Sequence, residues 1–118
     1  MTDRELLELA AKAAGIEVWA GAGAQAHVLF TRPDKADPSG KVTGVAWNPL
    51  TDDGDALRLA VKLEMQVCIG VRRIDAVIVG DEDGQVFRGT EAKAGDICAA
   101  TRRAIVRAAA EIGKTRSD

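Results

Sequence analysis

Apolar positions recur at helical spacing in three stretches of the chain, and alternating or continuous apolar runs lie between them. The first stretch carries Leu6, Leu9, Ala10, Ala13 and Ala14 behind Thr2-Asp3-Arg4-Glu5. That opening has the S/T-x-x-E form of a capping box, and the stretch predicts a helix that stops at Gly15. Glu8 and Lys12 are spaced to pair on its polar side, worth ~0.2–0.5 kcal/mol. The second stretch, WNPLTDDGDALRLAVKL from Trp47 to Leu63, organises the rest of the chain. Asn48-Pro49 disfavours helix at its start, because the proline ring pushes Asn48 out of the α region. Asp52, Asp53 and Asp55 then supply capping oxygens and negative charge at the positive end of a helix. Ala56, Leu59, Ala60 and Leu63 share one face, and Leu57 and Val61 widen it, so this helix is expected to be buried on most sides.

The third helical stretch begins near Asp96, with Ile97, Thr101, Ile105, Ala108 and Ile112 on one face and Gly113 as the expected stop. Its other face holds Ala99, Arg102, Arg103, Val106, Arg107 and Ala110. Three arginines beside an outward valine and small side chains make Arg102, Arg103, Val106 and Arg107 a candidate partner surface, since arginine is enriched at interfaces.

Strands are expected in the remaining apolar runs. Ile16 to Trp19 and Gln25 to Phe30 read as a hairpin around Gly21-Ala22-Gly23-Ala24. Residues 31–44 carry prolines and polar residues without an apolar period and read as a long loop. Gln66 to Arg72 and Ile74 to Val79 meet at Arg72-Arg73, and Asp81-Glu82-Asp83-Gly84 turns the chain into Gln85 to Arg88. Short connections between successive strands imply antiparallel pairing and an α+β class. Apolar residues of both parities in 67–71 and 76–79 imply a sheet covered on both faces. The expected architecture is one domain over residues 1–118, with three helices and an antiparallel sheet of about five strands in a three-layer α-β-α sandwich.

Composition narrows the function classes. The chain has 118 residues, enough for one core without disulfides or metal. Aromatic residues make up 3% and tyrosine is absent, which weakens any reading that needs the stacking platforms used on single-stranded nucleic acid. A net charge of −2 gives no long-range attraction to phosphate. The GxG at Gly21 is followed by a strand-like run and lacks a third glycine, so it does not form a dinucleotide fingerprint. The acidic triplets at 52–55 and 81–83 lack EF-hand spacing and read as a helix cap and a hairpin turn. His27 is the single histidine, and Cys68 and Cys98 lack CxxC spacing, so no metal or cofactor is expected and both thiols read as buried and free. No nucleophile and base are visibly paired, although His27 with Cys68 or Asp75 is the combination to test in space. The charged N-terminal residues and the lack of a long apolar run lead to an expectation of a cytoplasmic protein without membrane contact.

The words WNPLTDDGDALRLAVKL at 47–63 and AATRRAIVRAAAEIGK at 99–114, with the alanine- and leucine-rich first helix, resemble a family of small tailed-phage and prophage proteins, the phage ABA sandwich domain proteins. The resemblance covers less than half of the chain and leaves 16–44 unmatched. It implies an antiparallel sheet sandwiched between helices and a phage or prophage source, hence a bacterial host, and brings no activity, cofactor or catalytic residue. The resulting expectation is a non-enzymatic accessory protein that binds a host or phage protein or itself. The alternative is a nucleic-acid module, because helix, three strands, helix over 55–112 is the order of a double-stranded-RNA-binding domain. Asp96 at the start of the last helix, where that fold places lysines, weighs against it.

Overall fold

The computed structural model describes residues 2–31, 44–80 and 84–115. Most of the expected loop 31–44, and the acidic turn at 81–83, lie outside these residues. Helix α1 is Asp3–Ala14, capped by the Thr2 hydroxyl, which accepts from the Glu5 amide, and closed by Gly15 in the left-handed region at φ 68°. Glu8 pairs with Arg4 at 2.7 Å. Strands β1 (Val18–Ala20), β2 (Leu29–Thr31) and β3 (Val45–Ala46) form one antiparallel sheet, with a 3-10 turn at Gly23–Gln25 between the first two. Helix α2 is Asp53–Lys62. Strands β4 (Gln66–Ile69), β5 (Arg73–Val79) and β6 (Val86–Ala92) form a second antiparallel sheet in that order, and helix α3 is Ile97–Thr115.

The class is therefore α+β with three helices, but the described strands form two sheets of three where one sheet of about five was expected. The described elements do not confirm the α-β-α layering either. On β5, Ile74, Ala76 and Ile78 are buried, whereas Arg73, Asp75, Val77 and Val79 alternate onto a face that stays partly or fully exposed. Among the described residues, the helices pack on the side of the second sheet that holds Ile74, Ala76 and Ile78.

The layer beneath that sheet is built on α3. A Cβ at Gly89 of β6 would meet the Ala104 carbonyl and the Ala108 amide, so the strand lies directly on the helix backbone. On the other side, a Cβ at Gly113 would meet the Leu9 carbonyl of α1. Gly113 thus lets two helices touch backbone to backbone, and α3 continues past it to Thr115 instead of ending there. Val106, Ala109 and Gly113 follow one another at i, i+3 and i+7, which makes a single stripe toward α1. Val106 is 0% exposed, a correction to its expected place on an outer face: that face is covered by α1. Leu6, Leu7, Ala10 and Ala14 of α1 join Trp47, Leu59, Ile74 and Ile105 in one continuous core.

Candidate functional site

The entry into α2 is fixed by short hydrogen bonds. Asn48 Oδ1 accepts from the Leu50 amide at 3.0 Å, Asp55 Oδ2 accepts from the Asn48 amide at 2.9 Å, and Asp52 Oδ2 accepts from the Asp55 amide at 2.8 Å. The acidic cluster is a cap, as its sequence position implied, and it also orients α2 against α3: Arg102 donates to the Leu50 carbonyl at 2.9 Å and to Asp53 at 2.5 Å.

Held in this way, α2 runs beside β4 and the first half of α3 with a groove of about 320 Å³ between them. Leu57, Val67, Ile69, Ile97, Cys98 and Ile105 are among the side chains that line it. Apolar residues expected to be covered, on most sides of α2 and on both faces of β4, instead reach solvent in and beside this groove. Leu57 is 65% and Val61 68% exposed, and on β4 Val67 is 39% and Ile69 56% exposed. Val71, in the two-residue hairpin after β4, is 91% exposed. Surplus hydrophobicity was visible in the sequence; its lack of a covering layer was not.

The edge of β4 is as open as its side chains. The Gly70 amide donates to the Arg73 carbonyl at 2.9 Å, so Gly70, Cys68 and Gln66 turn their main-chain groups toward β5. Alternation then directs the N–H and C=O groups of Val67 and Ile69 outward. The opposite edge is different. Along β6 the outward groups belong to Val86, Arg88, Thr90 and Ala92, and Arg107 donates to the Thr90 carbonyl at 3.4 Å and to Glu91 at 2.9 Å. A charged residue occupies that edge, a common device against strand addition, whereas 66–71 carries no charge.

The expected arginine surface on α3 is dispersed. Arg102 is tied to α2, Arg103 contacts Asp3 at 2.9 Å and Glu91 at 3.6 Å, and Arg107 serves β6. With Val106 buried, the four residues form no common outer patch. A second depression of about 340 Å³ is lined by Leu6, Arg103, Arg107, Glu111 and Lys114, but each cation there faces a carboxylate, Lys114 pairing with Glu111 at 2.9 Å.

On the open face of the second sheet Cys68, Asp75 and Thr90 stand in one row across the three strands. Thr90 donates its hydroxyl to Asp75 at 2.6 Å, and Arg73 lies 3.2 Å from the same carboxylate. The Thr90 hydrogen bond holds the Asp75 carboxyl below its ordinary range; partial burial opposes it, and Arg73 and Arg88 assist. A carboxylate held ionised in this way is a poor proton donor. His27 is exposed in the turn before β2, and no hydrogen bond joins it to Cys68 or Asp75 among the described residues. Both cysteines are exposed, which corrects their expected burial: Cys68 points to the open sheet face and Cys98 to the groove. No cluster of three or more His, Cys, Asp or Glu side chains that could hold a metal occurs among the described residues. None of the described helices is long and apolar enough to cross a membrane.

Comparison with protein families, with curated proteins and with solved structures finds no match to this chain.

Proposed function

We propose that this protein acts by binding protein, without chemistry of its own, through the free edge of β4 and the groove beside it. The observation that carries this reading is the coincidence of outward main-chain groups at Val67 and Ile69 with exposed apolar side chains of β4 and α2. An edge strand offers a partner strand its hydrogen bonds, and the adjoining pockets add specificity. Contiguous apolar surface of this kind on a small domain is a common mark of interaction. A phage or prophage setting remains part of the proposal, supported by the words at 47–63 and 99–114 alone.

The test is capture from bacterial lysate with the wild-type chain and with Ile69→Lys, Leu57→Lys and a control, Lys93→Ala, on the far side of the hairpin. Partners retained by the wild type and the control but lost with the first two variants support the reading. Capture that ignores all three substitutions assigns binding elsewhere and removes it.

The second reading, nucleic-acid binding, draws on the order α2, β4, β5, β6, α3, which is present. Against it, the first turn of α3 is Ile97-Cys98-Ala99-Ala100, without a cation, and the α3 arginines face carboxylates. Salt-dependent retention on double-stranded RNA would restore it.

A further inference from the structure

We infer that the occupant of the β4 edge is a second copy of this chain, paired antiparallel about a two-fold axis through Cys68. The inference rests on the proposed role of this edge and adds the identity of its partner. Its basis is the self-complementarity of the uncharged edge Gln66-Val67-Cys68-Ile69-Gly70. Reversed about Cys68, this segment sets Val67 against Ile69 of the second copy and Gln66 against Gly70, with both pairings repeated on the far side of the axis. The inner pairing is apolar with apolar, the outer sets a neutral amide side chain beside a glycine, and the register juxtaposes no like charges.

The hydrogen-bonding parity agrees with this register. Outward main-chain groups fall at Val67 and Ile69, so opposing those two residues makes a hydrogen-bonded pair on each side of the axis, four bonds in all by the antiparallel rule. Cys68 then occupies the non-hydrogen-bonded position opposite its own copy, where Cα atoms approach to about 4.5 Å. An axis through this point and perpendicular to the sheet keeps the helical sides of both copies together. It brings Leu57 and Val61, one turn apart and each mostly exposed, toward the same residues of the second α2. The two three-stranded sheets become one of six strands, and the arginine-guarded β6 edges remain outermost. A two-fold contact of this kind is self-limiting, because each copy has a single unguarded edge in this sheet to contribute.

Three measurements on the full chain test this. Light scattering at about 100 µM, a concentration at which interfaces of micromolar affinity are populated, should give twice the 12.4 kDa chain mass. Ile69→Lys should return the mass to one chain while circular dichroism stays that of the folded protein. Amide exchange should protect Val67 and Ile69 in a concentration-dependent manner, while Gly70, already bonded to β5, is protected throughout. Diamide, which takes up the two thiol hydrogens as the sulfurs join, should give a covalent dimer in Cys98→Ser and none in Cys68→Ser.

A single-chain mass together with unprotected Val67 and Ile69 amides overturns the inference. If lysate partners are still lost with Ile69→Lys in that case, the edge binds a different protein and the functional proposal stands without this one. A dimer that survives Ile69→Lys and does not cross-link at Cys68 uses another surface and also overturns it.

Discussion

Asp75 shows how one side chain is governed by its row across the sheet. Its carboxylate is stabilised first by the Thr90 hydroxyl and then by two arginines. A native carboxyl that titrates below its unfolded value, about 4, contributes stability that is complete above that pH. The contribution is lost as pH falls through the lower native value. Thr90→Val is therefore expected to move the Asp75 titration upward, read by carboxyl-carbon NMR, and to leave stability less dependent on pH on the acid side. At the start of α2 the Asp52 side chain has a simpler role. Asp52→Ala removes the bond to the Asp55 amide and is expected to cost ~1 kcal/mol in urea denaturation, the usual value of an N-cap. Both capping residues, Thr2 and Asp52, were legible in the sequence because a cap is a local device: its donor lies within three residues of its acceptor. The partners of Arg102, Arg103 and Arg107 were not, since they sit 12 to 100 residues away.

At the scale of an element, α3 is where a single amphipathic reading failed. Its periodicity correctly gave the helix and one buried face, containing Ile105 and Ala108. A helix covered by a sheet on one side and by α1 on the other has two buried faces, and three arginines between them disguised the second. The small residues Ala109, Ala110 and Gly113 carried that signal, but a glycine near the end of a helix reads first as a stop. Gly113→Ala separates the two meanings. Ala is the better helix former by ~1 kcal/mol, so a mere terminus would gain. Here the new Cβ meets the Leu9 carbonyl, main chain that cannot rotate aside. Displacement should cost at or above the upper end of the ~1–3 kcal/mol range for overpacking, leaving a net loss. Thermal unfolding of the alanine variant decides it. β4 makes the converse point: the apolar residues of both parities in 67–71 did not mean two enclosing layers, since Val67 and Ile69 line an open groove and Cys68 lies on an open sheet face.

For the whole molecule, the α+β class and the succession of helices and β4 to β6 were legible, because strand pairs joined by short turns leave little choice of topology. The division into two sheets was not. Residues 32–43 separate Thr31 from the rest, and the two-residue strand Val45–Ala46 is too short to announce itself by alternation. Global charge has its own consequence. With a net charge of −2 and the α3 arginines each facing a carboxylate, the protein is expected to pass through a heparin column at ~0.15 M salt, where screening leaves only short-range attraction. Retention there would show that the pairs open and expose a basic surface.

The two glycine crossings have a further implication for how this domain is able to change. Gly89 brings the sheet against one flank of α3 and Gly113 brings α1 against another, with Ala104, Val106, Ala108 and Ala109 filling the space between. The domain is therefore as thin through its middle as side-chain chemistry permits. Variation that enlarges any one of these positions has to move an entire layer, so drift should accumulate in length and at the rim, while the thickness stays constant.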